Sequence, residues 1–233
     1  LRLCYRSASR VVAVSEAQKH WMEEAHLVKA SRLRLLRSSR PLDPFLVLPL
    51  APPQLGGDAP LRLLAYGRFT PQKGFDRLIR ALGSLPGAPL RLELVGDGPQ
   101  RPELERLARG EPRIRLSGPS DDIPARVKAC DAVVIPSRWE PWGNVCLEAR
   151  AAGRPVLVCA VDGLSEQVRD CGLVVEAADH DHQAEHALAA GLEQLWRTST
   201  EQWNRWALAG RASARGAWPA YLEGWSRLLA EFP

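Results

Sequence analysis

From Leu61 to Val175 short apolar runs alternate with longer amphipathic stretches at a nearly constant pitch. The runs Leu61–Tyr66, Leu90–Val95, Ile114–Ser117, Ala132–Ile135, Val156–Val158 and Leu173–Val175 read as buried strands. The stretches between them, at about 74–85, 100–109, 121–129, 144–152 and 164–169, read as helices. Strand alternating with helix in this way predicts an α/β fold, a doubly wound parallel sheet with helices on both faces.

The flanks differ. Residues 10–14 (RVVAV) and 32–36 (RLRLL) predict two strands around a helix that Ser15 and Gln18 open as a capping box and that runs to about Ala25. So small a unit has too few strands for its own sheet and reads as the end of a preceding domain. Between Ser38 and Pro60 stand Pro41, Pro44, Pro49, Pro52, Pro53 and Pro60 with Gly56 and Gly57, which predicts a linker. From about residue 181 the pattern is helical, and Trp218, Tyr221, Leu222, Trp225, Leu228 and Leu229 form one apolar stripe. Trp203, Trp206, Trp218 and Trp225 are read as core or interdomain packing rather than a carbohydrate platform or a membrane belt. The expected division is 1–50, 51–200 and 201–233. A chain opening on Leu1 inside such a pattern is expected to be a fragment.

In open parallel sheets ligands bind at the carboxyl ends of the strands, where the topology reverses. Three of those ends carry unusual residues: GRFTPQKGFD after the first strand, GDGPQR after the second and PSRWEPWGN after the fourth. The last leads into a helix and holds Glu140 in its loop, with Glu148 eight residues on. At the rise of a helix that spacing is roughly 12 Å, too far to share a proton but suited to the two ends of an elongated ligand. The unbonded N–H groups of the helix start near Gly143 and Asn144 lie between them and favour an anion. Arg68 and Lys73 add two cations beside another helix start, which suits a diphosphate.

Competing readings are weaker. GDGPQR lacks the third glycine of a dinucleotide fingerprint, since Arg101 stands there. A glycosidase pair of carboxylates lacks the aromatics of a sugar tunnel. His182, Glu185 and His186 match a zinc-protease spacing, but Asp179 or Asp181 is needed there as a helix N-cap and no further ligand follows. No metal is expected.

Composition changes the picture little: 233 residues, 45% hydrophobic, 25% charged, net charge +4 and pI near 9.0. Basic and acidic residues are interleaved, which argues against nucleic acid and leaves an anionic membrane surface open. Five cysteines without a CxxC read as reduced and buried, which implies the cytoplasm.

With Gly67–Asp76, Val95–Pro99 and Glu140–Pro155 in hand, the chain resembles the retaining glycosyltransferases of the GT-B fold, group 1 or family 4, whose E-x7-E motif matches Glu140 and Glu148. The resemblance covers about residues 10 to 180. It implies two Rossmann-like domains, of which this chain holds mainly the C-terminal, donor-binding one, with a remnant of the acceptor domain. It implies a nucleotide-diphosphate sugar (UDP-, GDP- or ADP-linked), a hexose transferred with retention to a saccharide or lipid-linked acceptor, and no cofactor. Arg68 and Lys73 would hold the diphosphate, Glu148 the ribose, and Glu140 with the backbone of Trp142, Gly143 and Asn144 the sugar. Gly67, Gly96 and Val145 complete the implied donor site. Such an enzyme is expected in the cytoplasm, with the inner membrane face as an option. Two other readings share the site: a donor-binding module without turnover, and a sugar-nucleotide epimerase. The sequence departs from the family in Asp162, which replaces a glycine, and in RSSRPLD near residue 38, which replaces an Asn-Gly turn.

Overall fold

The structure, a computed structural model, describes residues 2–50, 59–178 and 180–232. The part of the expected linker at 51–58 and the expected cap Asp179 lie outside these residues. In chain order the elements are α1 (Arg2–Ser7), β1 (Val11–Ala13), α2 (Glu16–Glu24), β2 (Leu33–Leu35), α3 (Asp43–Leu46), β3 (Leu61–Tyr66), α4 (Phe75–Gly83), β4 (Leu90–Val95), α5 (Arg101–Ala108) and β5 (Ile114–Ser117). Then follow α6 (Ile123–Ala129), β6 (Ala132–Ile135), α7 (Asn144–Ala151), β7 (Val156–Cys159), α8 (Leu164–Gln167), β8 (Gly172–Val175), α9 (Asp181–Trp196), α10 (Thr200–Ala214) and α11 (Ala217–Leu229).

Six strands form one parallel sheet in the order β5-β4-β3-β6-β7-β8, and β1 pairs with β2 in a separate parallel pair. Because side chains alternate along a strand, each central strand feeds two cores. Leu63, Ala65, Val134 and Leu157 join α4, α9 and the buried Trp203 on one face. Leu64, Tyr66, Val133, Ile135, Val156 and Val158 join α6 and α7 on the other. All strands run the same way, but the order in which they are added to the sheet reverses between β3 and β6, whose registered pairs are Leu63 with Ala132 and Leu64 with Val133. The loops that leave these two strands are GRFTPQKGFD and PSRWEPWGN, so the switch point lies where the unusual residues are.

Several boundaries differ from the expected ones for local reasons. α6 starts at Ile123 because Asp122 caps it, accepting the Ala125 N–H at 2.9 Å. Ser15 accepts the Gln18 N–H as expected, but Gln18 Oε1 takes the N–H of Val14, so the box closes one residue early. Asp181 is not a cap: it is the first residue of α9, and its carboxylate goes to Arg77 and Arg138, while His180 holds the cap position without a side-chain bond. Glu185 pairs with Arg80, and His186 meets the His182 carbonyl within the helix. Among the described residues no cluster of three His, Cys, Asp or Glu is placed to hold a metal ion.

The stripe on α11 is only partly covered. Tyr221 stacks on Trp218 and meets Trp225 edge to face, and Leu228 is buried, whereas Leu222 and Leu229 are exposed. The segment after α11 reaches the small β1–β2 unit through Glu231, which pairs with Arg10 and Arg34. α10 packs on α7, so the two terminal helices serve different neighbours. Four of the five free thiols are buried, Cys4 being the exposed one, and burial pushes Cys130 and Cys146 up to about 12. Among the described residues no helix is long and apolar enough to cross a membrane.

Candidate functional site

One seam of close contacts brings the site loops together. After β3 the chain turns through Pro71–Lys73 and enters α4 at Gly74. A β-carbon on Gly74 would lie 2.0 Å from the Pro136 carbonyl oxygen, and its φ of 64° is left-handed, so only glycine allows this approach. Beside it the Arg138 N–H donates to the Gln72 carbonyl at 2.8 Å, the Arg138 guanidinium to the Pro71 carbonyl at 2.8 Å, and Gln72 Nε2 to the Trp139 carbonyl at 3.1 Å. Arg138 also holds Asp76. Burial pushes that carboxyl up, but the hydrogen bonds and charge of Arg138 outweigh it and leave it below its ordinary range.

This seam puts Lys73 Nζ on Glu140 Oε2 in a direct ion pair, with both side chains largely covered. An ammonium has three N–H donors, so two remain for other oxygens. Glu148 lies on the first turns of α7, almost fully buried. Its Oε2 accepts the Tyr66 hydroxyl at 2.7 Å and its Oε1 accepts Arg40 at 2.9 Å. Burial raises the Glu148 pKa above its ordinary value, against the pull of Tyr66 and Arg40. The same burial, with the Glu148 charge added, holds the Tyr66 phenol well above its own.

Gly67, Arg68, Lys73, Gly96, Glu140, Gly143, Asn144, Val145 and Glu148 all line one open cavity of about 610 Å³. α7 starts there at Asn144, with Gly143 as its cap, and the first N–H groups of a helix have no intrahelical partner. Among the described residues the Arg68 side chain makes no hydrogen bond or ion pair, although its carbonyl accepts the Thr70 N–H; the side chain is exposed at the cavity edge. Trp142 is the exception. Its side chain is buried and lines the neighbouring cavity with Ser39 and Arg150, facing Arg37 with 5.8 Å from guanidinium to ring centre.

Three contributors escaped the sequence reading. Tyr66 and Arg40 hold Glu148, and Asp162 accepts the Glu140 N–H at 2.7 Å. Tyr66 ends a strand and could have been found by asking what faces a buried carboxylate. Asp162 and the RSSRPLD segment that holds Arg40 stand out in the sequence only as departures from the family, and nothing local says which carboxylate each would meet.

The profile of the family described as "Glycosyl transferases group 1" matches residues 60–197. This chain belongs to the group 1 glycosyltransferase family. The lipopolysaccharide core biosynthesis glycosyltransferase LpsE of Rhizobium meliloti is 35% identical over 181 residues, which is 76% of this chain and 51% of LpsE. The crystal structure of Anabaena Alr3699/HepE in complex with UDP and glucose superposes with a TM-score of 0.82 at 22% identity, covering 99% of this chain and 65% of HepE. Sucrose-phosphate synthase of Thermosynechococcus elongatus superposes equally well at 25% identity, over 99% of this chain and 60% of that one. The chain therefore spans about half to two thirds of these three proteins, and its α/β unit with a six-stranded parallel sheet corresponds to half of the GT-B fold.

Proposed function

We propose that the cavity at the β3–β6 switch point binds a nucleotide-diphosphate sugar and that the protein transfers the sugar, a hexose, to an acceptor hydroxyl with retention. One observation carries the reading: a covered Lys73–Glu140 pair, a helix start and the buried Glu148 line one cavity. Lys73 has two N–H groups left over from Glu140, and with Arg68 and the first N–H groups of α7 it faces the diphosphate. As the sugar–phosphate bond breaks, negative charge grows on the leaving diphosphate, and fixed cations stabilise that charge more than the ground state. Glu148 accepts the ribose hydroxyls: Tyr66 and Arg40 each use one acceptor site of a carboxylate that has about four. Glu140, oriented by Lys73, accepts from hydroxyls of the transferred sugar.

This assignment gives charge neutralisation to side chains and a helix dipole and calls for no metal or other cofactor. The LpsE similarity favours a saccharide or lipid-linked acceptor, which would place the reaction at the inner face of a membrane. The test is calorimetric titration with UDP, GDP and ADP and with their sugar conjugates. One nucleotide diphosphate should bind in the micromolar range, its sugar conjugate more tightly, and Glu148→Ala should abolish both. Absence of binding by all six ligands would overturn the reading.

A further inference from the structure

The turn after β7 contains one of two non-glycine residues with positive φ among the described residues, Asp162 at 40°. The turn closes by the Leu164 N–H on the Val161 carbonyl at 3.0 Å. A left-handed backbone costs an ordinary residue free energy that glycine does not lose, and such outliers gather where a site requires them. Asp162 is exposed, so burial of its side chain does not offset that cost. What it does gain is a hydrogen bond: its Oδ2 accepts the main-chain N–H of Glu140 at 2.7 Å. The next residue completes the contact, as the Gly163 N–H donates to the Glu140 carbonyl at 3.3 Å. Both polar groups of the Glu140 backbone are thus held by one turn that is more than twenty residues away in sequence.

We propose that Asp162 is a positioning residue for Glu140. It fixes the Glu140 main chain so that the carboxylate meets Lys73 and faces the sugar half of the donor. The proposal rests on the donor reading above. A glycine at 162 would relieve the backbone and lose the acceptor, so its consequence for function and its consequence for folding have different signs. Other anchors are less direct: Gln167 donates to the Trp142 and Gly143 carbonyls, beyond Glu140, and Lys73 holds only the side chain. The carboxylate of Asp162 is therefore the group whose removal frees the Glu140 N–H.

Two variants separate the possibilities. Asp162→Gly removes strain and acceptor together, and Asp162→Asn keeps an oxygen acceptor on a residue that tolerates the left-handed region. Three quantities are read in each: thermal midpoint, hydrogen exchange of the Glu140 amide by NMR, and the affinities of UDP-glucose, GDP-mannose and ADP-glucose relative to UDP, GDP and ADP. In Asp162→Gly the midpoint should stay close to that of the unmodified protein. The Glu140 amide should exchange about tenfold faster, and the gain in affinity from the sugar should shrink by about tenfold, while the bare nucleotide binds as before. Asp162→Asn should restore both. Unchanged amide exchange in Asp162→Gly overturns the clamp itself, whatever the ligands do. A retained sugar preference despite faster exchange overturns its functional role and leaves the donor reading standing. An unmodified protein that binds none of the six ligands overturns the donor reading and this proposal with it.

Discussion

The turn after β4 and the loop after β6 look alike in sequence, since both follow a strand, both carry glycine and both precede a helix. In the structure they do different things. A β-carbon on Gly96 would fall 2.0 Å from the Gly67 carbonyl oxygen, and one on Gly98 would fall 2.6 Å from that of Phe69. These glycines let one loop lie on another. Arg101 then locks the arrangement, donating to the Gly96 and Ser117 carbonyls, pairing with Asp97 and lying over the Phe69 ring. The loop after β6 instead presents Glu140, a helix start and Glu148 to the cavity. A glycine-rich turn is thus a statement about close approach, and only the neighbouring chain says whether the approaching partner is a ligand or the protein itself.

The widest separation should come from Lys73→Ala, at the cavity that the loop after β6 lines: the Lys73 ammonium pairs with Glu140 of that loop. Affinity for UDP should fall roughly 100-fold, the cost of removing one well-placed donor to a charged oxygen, while affinity for uridine changes little. Equal losses for both ligands would remove the phosphate assignment. Gly96→Ala should act on stability instead, lowering it by about 2 kcal/mol in urea unfolding, because the clash is with backbone at a φ of 151°. If Gly96→Ala unfolds like the unmodified protein and only loses nucleotide affinity, the turn belongs to the ligand after all.

A smaller effect is expected of Glu148→Gln, which should weaken UDP about tenfold and erase its advantage over the 2′-deoxy analogue. Weakening both nucleotides alike would move Glu148 away from the ribose. The smallest concerns pH. Burial raises the Glu148 pKa, so the folded state takes up its proton before the unfolded state does as pH falls. Its contribution to stability is therefore fully present below the ordinary carboxylate pKa and is lost as pH rises through the raised value. Donor affinity should run the other way, declining as Glu148 is protonated. In Arg40→Ala, with one favourable partner gone, that decline should begin at higher pH; an unshifted profile would show that Arg40 does not bear on the carboxylate.

How much of this was legible in the sequence follows from the range of the forces involved. The central strands β6 and β7 were readable as short, continuous apolar runs because both of their faces are buried, and β3, β4 and β5 because their apolar residues alternate with Arg62, Arg91 and Arg115. Arg68, Lys73, Glu140 and Glu148 were readable as candidates because charged residues stood at strand ends and a helix start, where a fold of this kind gathers ligands. For Trp142 the sequence spoke only of the backbone; that its side chain enters the neighbouring cavity depends on how the loop packs against residues far along the chain. Asp181 read as a cap because aspartate at a helix start usually bonds the local backbone, but Arg77 and Arg138 lie closer to its carboxylate than a short-range rule can foresee.

The sequence by itself determined the alternation of elements, and hence a parallel sheet, since burial pattern and helical period are properties of neighbouring residues; the strand order, with its reversal between β3 and β6, belongs to the folded chain. Tertiary structure alone decided which partners complete the carboxylates. Tyr66 and Arg40 meet Glu148 across 82 and 108 residues of chain, and Asp162 meets Glu140 across 22. Hydrogen bonds act over about 3 Å of space and carry no memory of sequence separation, so only the folded chain could bring these groups within reach.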